Sequence, residues 1–207
     1  MTETREKILD HAEKLFGEQG YAATSLRQII ADAGVNLAAI HYHFGSKEEL
    51  LDEIMMRKAG PVNDERLALL DRFEAEAGTH APAAEKVLEA FLGPPFSKAE
   101  HDPDFVRMMG RLYGEGLMPT IVERHFQPVV TRFLAALHRA LPQLPDQEMA
   151  LRIQFMVGAM AHTMFGVPLG RSGSAAAVLR ELVAFVGAGF RAPATCGHPA
   201  EKIEVRK

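Results

Sequence analysis

Apolar residues recur at intervals of three and four positions along most of the chain, and charged residues occupy the positions between them. This spacing places apolar side chains on one face of an amphipathic helix. No run of Val, Ile, Thr and aromatic residues alternates with polar residues between turn signals, as strands require. The pattern therefore predicts an all-α fold.

Four helices are predicted in the first third of the chain. The first covers about residues 4–18, and the second covers 26–33. A short third helix covers 36–44, and a longer fourth helix begins after residue 46. Capping-box sequences, in which a serine precedes a Gln or Glu by three positions, mark the starts of the second and fourth helices.

The dipeptide Gly60-Pro61 is predicted to kink or interrupt the fourth helix, because proline has no amide hydrogen and its ring clashes with the preceding turn. We therefore expect two helical domains. Residues 1–50 are expected to form a first domain of three short helices, residues 51–191 a larger helical domain, and residues 192–207 a flexible tail.

The second domain is predicted to contain five helices, around residues 87–92, 105–113, 119–141, 149–164 and 178–186. Gly and Pro residues indicate loops at 78–82 and 93–104. Pro128 is expected to kink the long helix in which it lies.

Composition narrows the possible classes of protein. The 207 residues include 47% hydrophobic ones, and no apolar stretch approaches the roughly 18 residues of a membrane span. The N-terminus lacks the features of a secretory signal, and a single cysteine forms no internal disulfide, so we expect a cytoplasmic protein without a membrane partner. The net charge of −4, with ten acidic and seven basic side chains in residues 1–58, argues against nonspecific binding to polyanions.

The most informative stretch is residues 26–47, where two short helices flank a turn that contains Gly34. This layout is typical of a helix-turn-helix, whose second helix enters the major groove of DNA, although helical bundles that bind no DNA also contain such turns. Hydroxyl, imidazole, amino and guanidinium groups here can contact phosphates or base edges, and small apolar groups can contact thymine methyls. The candidate DNA-binding residues are Ser25, Arg27, Asn36, Leu37, Ala38, His41, Tyr42, His43 and Lys47.

Residues 8–51 resemble the TetR family of bacterial transcriptional regulators. The resemblance is carried by Gly-Tyr at 20–21, IIADAGV at 29–35, Tyr-His-Phe at 42–44 and SKEEL at 46–50. The resemblance implies a homodimeric repressor that binds a palindromic operator in double-stranded DNA. It also implies an all-helical effector domain whose ligand releases the DNA.

By position, the resemblance implies phosphate contacts for Tyr42, His43 and Lys47, and groove-facing positions for Leu37, Ala38 and His41. Asn36 stands where Ser or Thr is more usual, and His41 where Tyr is frequent, so base preference does not carry over. The segments GVNLAAIHYHFGSK and RIQFMVGAMAHTMFG more loosely resemble the branch that responds to fatty acids or acyl-CoA thioesters.

A methionine-rich group of helices in the second domain fits either a packed core or a pocket for a small apolar effector. The candidate ligand-binding residues are Phe91, Phe105, Met108, Met109, Leu112, Tyr113, Phe126, Met156 and Met160. Arg107, Arg111 or His162 could hold a carboxylate at one end of such a pocket.

The helix at residues 149–164 is apolar on nearly every side from Phe155 onward, which one small domain cannot bury on both faces. We therefore expect a homodimer interface on the last two helices, with an intramolecular core as the alternative. The candidate interface residues are Phe155, Ala159, Leu179, Leu182, Phe185 and Val186.

Two other functions remain open. One is a helical enzyme that uses a pocket histidine such as His125 or His162, and the other is a helical bundle that binds a protein. We expect neither catalysis nor a cofactor, because no nucleophile, base and orienting group recur at a recognisable spacing. A metal site is not expected, because His41 and His43 point in opposite directions on a helix.

Overall fold

The computed structural model describes residues 3–36, 42–165 and 174–195. These residues form helices joined by short turns, and no β-strand occurs within those ranges, so the predicted all-α fold is confirmed. Within the same ranges, no helix combines the length and apolar character that crossing a bilayer requires.

The N-terminal helices follow the sequence pattern closely. Helix α1 comprises Glu3–Gln19, α2 comprises Leu26–Ala33, and α3 comprises Lys47–Ala77. Both predicted capping boxes form, at the starts of α2 and α3. Most of the predicted third helix, at residues 37–41, lies outside the described residues.

Helix α3 continues through Gly60 and Pro61 for 31 residues, so the predicted interruption of this helix is wrong. Pro61 removes one backbone hydrogen bond, to the carbonyl of Arg57. The free-energy cost of this lost hydrogen bond is small compared with the stabilisation from burying the helix on both sides of the proline. Ile54 and Leu70, for example, are completely buried.

Seven further segments complete the fold. They are α4 (Ala84–His101), α5 (Pro103–Gly114), α6 (Met118–Ile121), a π-helical segment (Val122–Phe126), α7 (Gln127–Ala140), α8 (Asp146–Phe165) and α9 (Ala175–Arg191). The predicted loop at 93–104 is wrong, because α4 runs through Gly93, Pro94 and Pro95. Pro94 and Phe96 are buried there, and this packing keeps the segment helical.

The sequence predicts a kink at Pro128, and the structure has the π-helical segment at this point of the chain. Pro128 has no amide hydrogen to donate to the carbonyl of Arg124, and the π-helical turn lies directly before it. Phe126, the last residue of this segment, is partly buried and packs against the N-terminal core.

Two hydrophobic cores divide the chain. The N-terminal core combines α1, α2 and the first half of α3 with Phe105, Met108, Met109 and Leu112 of α5. The C-terminal core combines the second half of α3 with α4, α7, α8 and α9. Helix α3 therefore contributes to both cores, and α5 attaches the N-terminal helices to the rest of the chain.

An ionic cluster joins α3 to α7 at the surface. The Glu74 carboxylate accepts hydrogen bonds from Arg132, at 2.9 Å, and from Arg139. Arg132 also pairs with Asp71. The hydrogen bonds from Arg132 and the positive charges of both arginines lower the pKa of Glu74 below its ordinary value of 4.5.

We predict that Glu74→Gln lowers the free energy of unfolding by about 0.5–1 kcal/mol at pH 7, because it removes the negative member of this cluster. A carboxyl with a lowered pKa stabilises the fold above pH 4.5, and this contribution is lost as the pH falls through the lowered value. The difference between the wild type and the variant should therefore shrink in acid. Urea unfolding at neutral and acidic pH measures it.

The control is Glu89→Gln, which removes an exposed pair with Lys86 within one helix. We expect a smaller loss of stability for this control than for Glu74→Gln. Equal losses would show that the cluster between α3 and α7 adds nothing beyond a local surface pair.

Candidate DNA interface and apolar cavity

The turn after α2 is set by Gly34, which adopts a left-handed conformation with φ of +64°. Its amide donates to the carbonyl of Ala31, and the amide of Val35 donates to the carbonyl of Ile30 at 3.2 Å. These bonds complete the last turn of α2 and change the direction of the chain. Asn36 follows on the exposed surface.

The start of α2 presents polar groups to solvent. The Ser25 side chain accepts a hydrogen bond from the amide of Gln28, and the Gln28 side chain accepts one from the amide of Ser25 at 2.7 Å. Arg27 is exposed on the first turn. A helix N-terminus with an exposed arginine favours an anionic partner such as a phosphate.

Tyr42 and His43 are held at the surface by their buried neighbour. Phe44 packs in the N-terminal core, whereas Tyr42 is 85% exposed. The rings of Tyr42 and His43 lie edge to face with centroids 5.0 Å apart. The Tyr42 hydroxyl is therefore presented to solvent, while three other candidates, Leu37, Ala38 and His41, lie outside the described residues.

Lys47 has a structural role that differs from the predicted phosphate contact. Its ammonium group donates to the carbonyls of Tyr21, at 3.0 Å, and Thr24, at 2.9 Å. It also lies 4.3 Å from the centre of the Tyr21 ring. Two of its three N–H groups are used to join the start of α3 to the loop before α2, and one remains for an anion.

The loop at residues 20–24 is fixed by a residue that sequence reasoning missed. The Glu115 carboxylate, just after α5, accepts hydrogen bonds from the amides of Tyr21 and Ala22, both at 2.9 Å. The Thr24 hydroxyl donates to the carbonyl of Gly20 at 2.7 Å. Glu115 is more than 90 positions from its partners, so no local pattern in the sequence indicates the contact.

The side chain of Tyr21, which belongs to this loop, is partly buried. Burial and, to a smaller extent, the nearby charge of Glu48 raise the pKa of Tyr21 to about 12. The phenol is therefore uncharged at neutral pH.

The acidic side chains of α1 are largely taken up by ion pairs. Glu6, Asp10 and Glu13 all accept hydrogen bonds from Arg57, at 2.8–2.9 Å. Arg57 lies roughly 15 Å along α3 from Lys47, at the rise of an α-helix. The net negative charge of this domain is thus partly neutralised away from the start of α3.

A cavity of about 280 Å³ lies between α3, α4, α5, α7, α8 and the π-helical segment. Its walls are almost entirely aliphatic and aromatic, and they include Val62, Val122 and Val157. Six of the nine predicted ligand-binding residues line it, namely Phe91, Phe105, Met109, Tyr113, Phe126 and Met160.

The other three predicted ligand-binding residues lie elsewhere. Met108 and Leu112 are completely buried in the N-terminal core. The two sets lie on adjacent faces of α5, and Phe105 and Met109 line the cavity while also contributing to the N-terminal core. Met156 lines a separate, smaller cavity of about 60 Å³.

One buried charged residue in the cavity wall was not predicted. Arg66 is only 3% exposed, and its Nε donates to the carbonyl of Phe91 at 2.8 Å. Its Nη1 donates to the Asn63 side chain at 3.0 Å, and its guanidinium lies 4.3 Å from the centre of the Phe91 ring. A signal was present in the sequence, because Val62, Arg66 and Leu70 follow the four-residue spacing of a buried face.

The residues predicted to hold a carboxylate do not line this cavity. Arg107 pairs with Asp104 at 2.9 Å, and Arg111 donates to the carbonyls of Gly17 and Glu18. His162 is exposed and lines a surface groove between α8 and α9. The three predictions are therefore wrong for the cavity itself.

The predicted interface residues divide into exposed and buried groups. Phe155 is 67% exposed and Phe185 is 73% exposed, while Ala159 and Leu179 are partly buried. Leu182 and Val186 are buried in the C-terminal core of the same chain. Their side chains thus pack within their own chain, and Leu182 also lines a surface groove with Phe185.

The two histidines considered for catalysis are not placed together. His125 lies beside Asp52, with 2.8 Å between its Nε2 and the Asp52 Oδ1, and His162 is at the surface. Among the described residues, no group of three or more potential ligands is arranged to hold a metal ion.

The fold and these surfaces define a helical protein with an N-terminal helix-turn-helix and a C-terminal domain that encloses a cavity. A family model for bacterial regulatory proteins of the tetR family matches residues 8–54. A second model, for the C-terminal domain of tetracyclin repressor-like proteins, matches residues 89–189. The chain belongs to the TetR family of bacterial regulatory proteins.

Individual relatives agree with this membership. The chain is 38% identical over 74 residues to the HTH-type transcriptional regulator AcrR of Shigella flexneri, covering 36% of this chain and 34% of the relative. It is 30% identical over 118 residues to the HTH-type transcriptional regulator BetI of Rhizobium meliloti, covering 51% and 56%. The chain thus spans less than two thirds of the length of these curated relatives.

A solved structure covers more of the chain. A bacterial regulatory protein of the tetR family from Rhodococcus RHA1 superposes with a TM-score of 0.64 at 16% identity. The match covers 91% of this chain and 97% of that one. At this identity the likeness establishes the fold.

We predict that Lys47→Ala lowers the free energy of unfolding by about 1–3 kcal/mol in the absence of DNA, because two carbonyls lose a charged hydrogen-bond donor. Chemical denaturation of the free protein measures this change. Arg27→Ala is the matched control, because its side chain is exposed and its removal should change stability by less than about 0.5 kcal/mol. Equal stability of Lys47→Ala and the wild type would contradict the structural role of Lys47.

Proposed function

We propose that the protein is a transcriptional regulator that binds a palindromic DNA operator as a homodimer and is released from it by a small apolar effector. The observation that carries this proposal is the surface formed at the helix-turn-helix by the exposed side chains of Arg27 and Tyr42 and the half-buried ring of His43. Family membership supports the same function.

In this proposal the first turns of α2 and α3 position the protein on the phosphate backbone. Ser25, Arg27, Tyr42 and the remaining N–H of Lys47 supply hydrogen bonds to phosphates. Residues 37–41 supply the contacts to base edges, with His41 as a hydrogen-bonding residue and Leu37 and Ala38 as apolar contacts. Because such a domain reads only a half-site, two copies are required for an extended operator.

The proposed dimer interface uses the outer face of α8 and α9. Phe155 and Phe185 are large aromatic residues that are mostly exposed in one chain, and Leu151 on the same helix as Phe155 is also exposed. Exposed apolar side chains grouped on two neighbouring helices are typical of a surface covered by a partner. The second copy of the chain is the proposed partner.

The proposed effector occupies the apolar cavity. Two helices connect this cavity to the DNA-binding surface: α3, which lines it with Val62 and begins at Lys47, and α5, which lines it with Met109 and ends beside Glu115. A ligand that changes the position of either helix would change the distance between the two recognition surfaces of the dimer. The resemblance to regulators that respond to fatty acids or acyl-CoA thioesters suggests the first compounds to test.

We predict that purified protein enriches a palindromic site from a random DNA pool, and that Arg27→Ala and Tyr42→Phe weaken binding to that site. Both changes remove contacts to phosphate, so the loss should be similar for related sequences. Arg27→Ala should also reduce the slope of log affinity against log salt by about one. Binding titrations at several salt concentrations measure both effects.

The control for the loss of positive charge is Lys86→Ala, an exposed lysine on α4 in the other domain. The affinity of the Lys86→Ala variant for the operator should match that of the wild type. If both Arg27→Ala and Tyr42→Phe also bind like the wild type, the proposed DNA surface is wrong.

We predict that the double variant Phe155→Glu with Phe185→Glu is a folded monomer, because both side chains are exposed in the single chain and a pair of charges would oppose burial in an interface. Sedimentation analysis should give a mass near 22.7 kDa for the variant and twice that for the wild type. Met56→Glu changes an exposed apolar residue on α3 and should remain dimeric. A dimeric double variant would place the interface elsewhere.

A further inference from the structure

We infer that the cavity binds an amphipathic acid, a molecule with an apolar body and one free carboxylate, and that Arg66 is the residue that pairs with this carboxylate. The inference rests on the proposed function, since it assigns the chemical class of the effector.

The main observation is a buried guanidinium without a negative partner. Both hydrogen-bond acceptors of Arg66, the Phe91 carbonyl and the Asn63 side-chain oxygen, are uncharged. No carboxylate of the described residues forms an ion pair with it. Guanidinium has five N–H donors, so groups remain that can bind an incoming anion.

Arg66 differs in this respect from the other buried ionisable side chains in the described parts of the chain. Glu13 contacts both Arg57 and Lys58, at 2.9 and 3.0 Å. Glu148 pairs with Arg152 at 2.9 Å. Buried charges without a partner are costly, and folded proteins ordinarily pair them. A ligand carboxylate would supply the pairing that Arg66 lacks.

The charge of Arg66 persists at neutral pH although the side chain is buried. Burial lowers the pKa of Arg66 to about 10, which keeps the guanidinium protonated under ordinary conditions. Lys98 also lines the cavity, but its ammonium group is 3.3 Å from the Asp102 carboxylate. Arg66 is therefore the better candidate of the two cations for an incoming anion.

The rest of the cavity specifies the apolar body of the ligand. Phe91 and Phe126 lie near the Arg66 guanidinium, and Met109 and Met160 line the walls beyond them. Methionine side chains adapt to ligands of different shapes. The cavity thus combines one cationic group with adaptable apolar walls.

The same features favour a free acid over a thioester. A thioester carbonyl carries no negative charge and would leave Arg66 unpaired. The cavity volume of about 280 Å³ also lies at the lower limit of ordinary ligand pockets, so the nucleotide part of a CoA thioester would have to lie outside it.

The experiment compares ligands that differ only in the head group. Straight-chain carboxylic acids of increasing length, the alcohols of the same lengths and the corresponding CoA thioesters are titrated into the full-length protein by calorimetry. Aryl-substituted carboxylic acids form a further arm, which distinguishes a linear from an aromatic body. We expect acids to bind about tenfold to hundredfold more tightly than the matched alcohols, as a hydrogen-bonded charge pair implies.

Arg66→Met removes the charge and retains an apolar side chain of similar length. This variant should lose the preference for acids over alcohols while still binding the alcohols. Arg66→Lys retains the charge and should recover part of the preference. Arg107→Met makes the same change on the exposed surface of α5 and should keep the preference of the wild type.

The outcomes separate the two proposals. If acids and alcohols bind equally to the wild type, or if thioesters bind more tightly than acids, the role of Arg66 is wrong even though the cavity binds a ligand. If Arg66→Met keeps the preference for acids, the inference is equally wrong. If Arg66→Met does not fold, the comparison of acids with alcohols in the wild type and in Arg66→Lys still decides. If no compound of any arm binds or releases the operator DNA, the effector part of the proposed function fails as well.

Discussion

Helix α3 is buried in both hydrophobic cores, and the arrangement of the whole chain depends on this. Ile54 and Met55 are completely buried among the N-terminal helices, and Leu70 is completely buried among the C-terminal ones. A single helix that is fixed at both ends transmits displacement along its length, because its backbone hydrogen bonds resist bending. The start of the helix, at the proposed DNA surface, therefore has little freedom to move independently of the second domain.

The parts of this structure that the sequence predicts are those set by local interactions. Ser25 with Gln28 and Ser46 with Glu49 form capping boxes within four residues, and the starts of α2 and α3 follow the pattern. The expected breaks at Gly60-Pro61 and at 93–104 fail, because burial against distant helices outweighs local preferences for turns. The contact of Glu115 with the loop at 20–24 depends on tertiary packing, which no local pattern encodes.

The polar side chains inside the second domain form a connected series. Arg66 donates to Asn63, and the Asn63 side chain donates to the carbonyl of His125 at 3.1 Å. The His125 ring in turn lies 2.8 Å from the Asp52 carboxylate, near the start of α3. The series passes through the π-helical segment, a type of irregularity that is frequent at functional sites. A ligand that shifts Arg66 would therefore act on a hydrogen-bonded series that reaches the first part of α3.

Helix α5 also connects the cavity to the N-terminal helices, and it does so through apolar packing. Phe105, Met109 and Tyr113 line the cavity, and Met108 and Leu112 on the adjacent face of the same helix are buried in the N-terminal core, to which Phe105 and Met109 also contribute. A helix of 12 residues moves as a unit, so a ligand that displaces the first face must also displace the second. Because protein cores are closely packed, the N-terminal helices cannot absorb that displacement without moving. Helix α5 therefore joins the cavity wall to the N-terminal core through adjacent faces of one short helix.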